Sequence, residues 1–273
     1  MSDLPLISVV VPTYNRPDFL IKTMCSILNQ SYKNIELIIV SNGKSDDNEN
    51  AAKSFNDDRV RYIDQENSGG PAGPRNHGMR LASGKYIAVC DDDDLWLSDK
   101  LEKQISAMEA DFSCGLCYTH MIFFDESGRE WSDDRGDADF SSLCYRNVVP
   151  ISSVVLRADL VQKLGGFDES ATVGDSEDYE FILRYAYHTK LIFINEKLLK
   201  YWSGINRTTA TDNERIIADD WRHFKSVMGC HFLVIKKTTA RPWQFILPCF
   251  YYLKICSKSS AYIICKRLGL VGR

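Results

Sequence analysis

From Arg222 to Arg273 the chain contains no aspartate or glutamate, while ten lysines and arginines fall in the same stretch. The first 221 of its 273 residues are therefore left with 23 basic against 37 acidic side chains, a balance of −14. An acidic body thus carries a basic tail. The tail's longest uncharged stretch, Pro242 to Leu253, is twelve residues, short of the ~20 that a membrane-spanning helix needs. The start, Met1-Ser2-Asp3-Leu4-Pro5, lacks the basic segment and apolar run of a signal peptide, so a cytosolic chain is expected. A disulfide framework is missing too: nine cysteines, an odd number, are scattered between Cys25 and Cys265 and suit a reducing compartment. Cys114 and Cys117 have a zinc-like spacing, but no second pair accompanies them and they lie in a strand-like run. What remains is ordinary for a globular protein, 44% hydrophobic and 26% charged. That composition suits one large α/β domain over residues 1–220 with an appendage over 221–273.

The chain is organised around Lys85 to Trp96, where the apolar-leaning Tyr86-Ile87-Ala88-Val89-Cys90 runs straight into Asp91-Asp92-Asp93-Asp94. A short buried strand whose carboxyl end opens onto a polar edge has this pattern. Four adjacent carboxylates repel one another unless a cation sits among them. Hard oxygen ligands favour Mg²⁺ or Mn²⁺, with the remaining ligands drawn from water and a substrate phosphate. A solvated acidic turn leading into a helix at Ser98 or Asp99 explains the same residues.

Other runs frame this one. Ile7 to Val11 and Glu36 to Val40 are β-branched or aliphatic, about thirty residues apart, with Pro17 and the apolar stripe Leu20, Met24, Ile27, Leu28 between them. That is a βαβ unit. Val60 to Ile63 predicts a third strand, and Asn67 to Pro74 is too rich in Gly and Pro for regular structure. A helix is expected from about Arg75, stopped by Gly84. The glycine spacing matches neither the P-loop nor the dinucleotide fingerprint. The first, second and fourth runs end in polar loops, where an open α/β sheet places its ligand crevice. Downstream, Asp99 and Glu102 have capping-box spacing ahead of Leu101, Ile105 and Met108. Residues 125–141 read as a polar loop or hairpin, and Arg157 to Leu164 as a helix closed by Gly165-Gly166. Asp175-Ser176-Glu177-Asp178 then precedes an apolar helix from Tyr179 to Tyr185. Acids there stabilise a helix start with no further role required.

The order of these pieces is more specific than any one of them. Ser8 through Arg16, the loop after Val40, Arg75-Asn76-x-Gly78 before Ala82 to Tyr86, the aspartate run ending in Asp99-Lys100-Leu101, and Glu177-Asp178 before a helix together resemble the family-2 inverting glycosyltransferases. The resemblance covers residues 5 to about 205. It implies the GT-A fold, a Rossmann-like α/β/α domain with a mostly parallel central sheet, a nucleotide-binding first half and an acceptor-binding second half. Carried over by position, Pro12 and Tyr14 line the nucleotide base, with Tyr14 stacking on it. Arg16 and Arg75 lie near the nucleotide or its diphosphate, Asp91 is directed to the ribose, and Asp93 to a Mn²⁺ or Mg²⁺ cofactor. Asp92 occupies the variable position beside them, and Asp94 lies behind. Asn42 falls where the family usually has an aspartate that accepts from the uracil ring; an amide oxygen also accepts that bond, but its NH₂ also donates. Asp178 matches the general base. A helix start favours its ionised form, whereas Asp175, Glu177 and Glu180 oppose it.

The implied activity is metal-dependent, inverting transfer from a nucleotide sugar, with UDP as the expected nucleotide, to a glycan or lipid-linked acceptor, as in cell-surface polysaccharide synthesis. A non-catalytic nucleotide-sugar-binding protein on the same fold has the Asn42 departure as its only sequence support. A sugar-nucleotide pyrophosphorylase-like enzyme would want a glycine-rich loop where this chain has Pro12 to Arg16. In the tail, cations beside Trp243, Phe245, Phe250 and Tyr251 suit an amphipathic helical segment on anionic lipid, peripheral on the inner face of the cell membrane. Helices packed on the domain with their lysines in water have the same composition. No nucleic-acid-binding motif accompanies the charge.

Overall fold

The computed structural model describes residues 4–132, 136–170, 176–204, 228–238, 242–245 and 248. The first half alternates strand and helix: β1 (Ile7–Thr13), α1 (Pro17–Leu28), β2 (Ile35–Asn42), α2 (Asp46–Lys53), β3 (Val60–Gln65), α3 (Ala72–Leu81) and β4 (Tyr86–Val89). These four strands pair in parallel in the order β3-β2-β1-β4. Strands β1, β2 and β4 are covered on both faces, which is why they read as continuous apolar runs. Because the chain returns from β3 to the far side of β1, the sheet has its switch point between the carboxyl ends of β1 and β4. Helix α3 lies close on β1, where a Cβ at Gly78 would come within 2.4 Å of Val10 Cγ1.

The second half continues the sheet with β5 (Leu95–Trp96), α4 (Lys100–Ala110), β6 (Cys114–Phe124), β7 (Glu130–Trp131), α5 (Phe140–Leu143), β8 (Val155–Arg157), α6 (Ala158–Leu164), α7 (Glu177–His188) and β9 (Lys190–Trp202). Strand β8 runs antiparallel between β4 and β6, and β9 pairs in parallel with β6 along its length. The long registers are thus parallel and the short ones antiparallel, giving the mostly parallel GT-A sheet. Asp99 ends up outside a capping box: its side chain accepts no cap hydrogen bond and pairs with Lys103, while Glu102 accepts from Ser31 Oγ at 2.6 Å. Helix α3 starts three residues before Arg75, inside the segment expected to be irregular, because Pro71, Ala72 and Pro74 suit a first turn.

Buried Arg184 braces α7: it pairs with Glu180 at 2.8 Å and donates to the carbonyls of Leu164, Gly165 and Gly166. Most of the basic tail lies outside the described residues. Its helical stretch 228–237 packs on the domain, with Cys230, Leu233 and Val234 in the core cluster that holds α7, joined by Phe245. Lys237 also pairs with Asp168 at 2.5 Å. Ending the chain at residue 227 should therefore cost on the order of several kcal/mol, since each buried side chain of this size contributes about 1.5–3 kcal/mol. A lowered thermal midpoint checks it.

Candidate functional site

The four aspartates after β4 alternate between two environments. Asp92 and Asp94 are buried at 4% and 1% exposure, whereas the Asp91 and Asp93 side chains retain 27% and 20%. Thr13 Oγ1, at the end of β1, donates to Asp92 Oδ2 at 2.7 Å, and Thr23 Oγ1 lies 2.8 Å from the carbonyls of both Asp92 and Asp94. Asp94 Oδ1 accepts from the Trp202 N–H at 2.9 Å, and its Oδ2 is buried with no hydrogen-bond partner among the described residues. Burial pushes Asp92 up to about 7, and burial with the Asp93 charge pushes Asp94 well above the ordinary carboxylate range. Asp92, a candidate nucleotide contact at the variable position of the run, faces β1 here through its hydrogen bond from Thr13. The two half-open carboxylates are the ones left for a ligand.

Each has a guanidinium. Arg16, at the start of α1, places Nη1 2.6 Å from Asp93 and 3.5 Å from Asp92. Arg75 in α3, 3% exposed, bridges two elements: Nη2 lies 2.6 Å from Asp91 Oδ1 and Nη1 lies 2.7 Å from Glu177 Oε1. Burial would lower the Arg75 pKa, but the Asp91 and Glu177 charges more than reverse this and keep it cationic. The guanidinium also lies 5.2 Å from the Phe167 ring centroid. This bridge joins the end of β4 to the start of α7, where Asp178 follows Glu177. Asp178 Oδ1 accepts from the Tyr179 N–H at 2.7 Å. Burial, then the Glu177 charge, raises the Asp178 pKa to about 7, with Arg75 pulling the other way. Of the opposing effects expected at this helix start, the raising ones prevail; Asp175 lies outside the described residues.

Arg75, Asp91, Glu177 and Asp178 line one pocket of about 260 Å³ together with Met121, Phe123, Val149, Pro150, Ile151 and Tyr201. The Ile151–Ser153 turn is fixed at the pocket floor, because Ser152 Oγ accepts from the Asp91 N–H at 3.0 Å and Ser152 O accepts from Trp96 Nε1 at 2.8 Å. Neither this turn nor the aromatic wall was anticipated from sequence. The turn is only three residues long, and Phe123 and Tyr201 come from two strands far apart in sequence, β6 and β9, that only the fold brings side by side.

At the carboxyl ends of β1 and β2, Pro12 sits opposite Val40 and Tyr14 is 51% exposed. Gly43 has φ +127°, and a Cβ there would meet the Tyr14 ring at 3.4 Å. These residues form an open aromatic edge. Asn42 beside them is engaged elsewhere. Its Oδ1 accepts from Gln65 Nε2, Ser68 N and Ser68 Oγ at 2.9–3.0 Å, and its Nδ2 donates to Gly70 O at 3.1 Å. Asn42 thus ties down the 65–70 loop.

Asp91 and Asp93 offer hard oxygen donors, and burial together with the Asp91 charge raises the pKa of Asp93, a state that a cation would relieve. Among the described residues no three His, Cys, Asp or Glu side chains form a self-sufficient cage. That arrangement fits an ion that takes its other ligands from water and a diphosphate.

A family model described as "Glycosyl transferase family 2" matches residues 8–157. The chain is 38% identical over 103 residues to the UDP-Glc:alpha-D-GlcNAc-diphosphoundecaprenol beta-1,3-glucosyltransferase WfgD of Escherichia coli, spanning 38% of this chain and 41% of that protein. Staphylococcus aureus TarS 1–349 in complex with UDP-GlcNAc has the same fold, with a TM-score of 0.66 at 16% identity over 90% of this chain and 71% of that one. So does mannosyltransferase PcManGT from Pyrobaculum calidifontis in complex with GDP-Man and Mn²⁺, with a TM-score of 0.66 at 17% identity over 100% of this chain and 77% of that one.

Proposed function

The chain belongs to glycosyl transferase family 2, and from that premise we propose that it transfers a sugar, with inversion, from a UDP-sugar to a hydroxyl of a glycan or lipid-linked acceptor. The observation that carries this reading is the placement of Asp178 in the same pocket as Asp91, with Arg75 tying Asp91 to Glu177, the residue before Asp178. Tyr14 stacks on the base, and Arg16 draws the diphosphate to the end of β4. The acceptor hydroxyl gives its proton to Asp178, whose Oδ1 is held by the Tyr179 N–H, while its oxygen attacks the anomeric carbon. The bond to the diphosphate breaks on the opposite face and the diphosphate leaves with the electron pair, so one displacement inverts the centre. Asp93 would hold a Mn²⁺ or Mg²⁺ ion, which would supply positive charge against the departing diphosphate.

The name of the WfgD relative includes a UDP-sugar and a diphosphoundecaprenol acceptor, which supports a lipid-linked acceptor. Among the described residues no helix is long and apolar enough to cross a bilayer, and the basic, aromatic tail supports peripheral association. Pelleting with anionic vesicles at low salt tests that: a protein that stays in the supernatant has no such affinity. For the donor, thermal shift with UDP, GDP, CMP and dTDP, each with and without Mn²⁺, is the test. At a hundredfold excess over Kd, UDP with Mn²⁺ should raise the midpoint by about 5–10 °C. Equal shifts without the metal would remove it from the site, and a larger shift with GDP would reassign the base.

A further inference from the structure

The helical stretch 228–237 lies beyond residues 5 to about 205, which carry the family resemblance, yet it meets the chain at the candidate base. Cys230, Leu233, Val234 and Lys237 follow the i, i+3, i+4, i+7 spacing of one helix face. Lys237 reaches Asp168 at 2.5 Å and Glu180 of α7 at 3.4 Å. At the other end of the face, Cys230 Sγ donates to the Ser176 carbonyl at 3.3 Å, and the same carbonyl accepts the Glu180 N–H at 3.1 Å. Burial, then the charges of Glu180, Asp178 and Glu177, push the Cys230 thiol up, so it stays a donor. The next residue along, His231, places Nε2 3.1 Å from Tyr179 Oη, a hydroxyl that donates to Leu143 O at 2.6 Å. Burial lowers the His231 pKa to about 4, which keeps the ring neutral.

Asp178 sits between these two anchored residues, two positions after Ser176 and one before Tyr179, whose N–H holds its Oδ1. The first turn of a helix is where it frays, because its leading N–H groups have no partner within the helix. Ser176, the residue that opens α7, offers no side-chain cap. Resting on the reading of Asp178 as the base, we infer that Cys230 and His231 are positioning residues for the transfer: neither touches substrate, and together they fix the turn that aims the Asp178 carboxylate. Accuracy matters there, since a displacement of about 1 Å at a reacting group costs on the order of 10²-fold in rate. Leu233 and Val234 supply only apolar packing to the same core, and Arg184 braces α7 two turns further on. Neither holds the first turn. The stretch 228–237 is thereby a working part of the transferase as well as a stabilising one.

Amide hydrogen exchange on the full chain reads that turn directly. In Cys230→Ala the Tyr179 and Glu180 amides, whose acceptors are Asp178 Oδ1 and Ser176 O, should exchange about tenfold faster, the scale of one lost hydrogen bond. Amides from Leu183 to Ala186 should keep wild-type rates. Nucleotide release from UDP-glucose and UDP-N-acetylglucosamine in Mn²⁺, with water as acceptor, should fall about ten- to a hundredfold in kcat at unchanged KM in Cys230→Ala and His231→Leu. Cys230→Ser and His231→Gln each keep a donor and should recover most of both losses. Val234→Ala loosens the same helix face without touching the turn, so it should lower the thermal midpoint, leave kcat alone and speed exchange evenly along α7. UDP affinity, the same in all six proteins, is the check that they are folded. Wild-type exchange and kcat in Cys230→Ala and His231→Leu, or an equal local loosening and kcat loss in Val234→Ala, would overturn the inference. Failure of wild type to bind UDP, or normal turnover by Asp178→Asn, would instead overturn the reading of the base beneath it.

Discussion

Asp178→Asn should lower sugar transfer by about 10²–10⁴-fold, the usual contribution of a positioned general base, while leaving UDP affinity unchanged. Asn keeps the size of the side chain and an oxygen that accepts from the Tyr179 N–H. It loses only the capacity to take a proton. The same substitution should raise the thermal midpoint at neutral pH. Burial, then the Glu177 charge, holds the Asp178 pKa near 7, above the ordinary carboxylate value, so the folded state favours the neutral acid. Its stabilising contribution is complete below the ordinary value and is lost as pH climbs through about 7; Asn removes that loss. Activity has the opposite slope, because only the ionised carboxylate accepts the proton, and kcat/KM should rise with pH through an apparent pKa of about 7. A variant that turns over normally would move the base to Glu177.

Arg75→Met should be the most destabilising single change at the site, by about 3–5 kcal/mol, because removing one partner of a buried ion pair leaves the other charge uncompensated. Here two partners are stranded, Asp91 at 2.6 Å and Glu177 at 2.7 Å, with Asp178 beside them. Arg75→Lys should recover only part of the loss, since one ammonium does not span two carboxylates held by separate nitrogens of a planar fork. Denaturant midpoints of the two variants check the ranking. A methionine variant as stable as wild type would mean that the bridge does not join the two halves of the sheet.

The parallel half of the fold was legible because its strands are buried on both faces. Ile7 to Val11 and Glu36 to Val40 carry enough β-branched or aliphatic residues in a row that burial alone produces the pattern. Strand β8 is three residues long, and β9 interrupts its apolar residues with Asn195, Glu196 and Lys197, so neither has a period to read. The aspartates after β4 marked the end of the sheet where the candidate pocket lies, but their different environments could not be read from sequence. Nothing in four identical residues says that Thr13 and Thr23 will claim the second, or that Trp202 will claim the fourth from across the sheet. Asn42 shows the same limit: its amide is used by Gln65 and Ser68, partners that only tertiary structure supplies. The stacking of Phe123 on Trp131 was hidden because Trp131 lies in a two-residue strand within a polar stretch.

The stereochemistry of transfer tests the account most directly. With the donor identified by the nucleotide panel, proton NMR of the first-formed product reads the anomeric configuration of the transferred sugar. Single displacement assisted by Asp178 predicts the configuration opposite to the donor's. Retention of the donor's configuration would contradict it, because that outcome requires two displacements or attack from the leaving-group face.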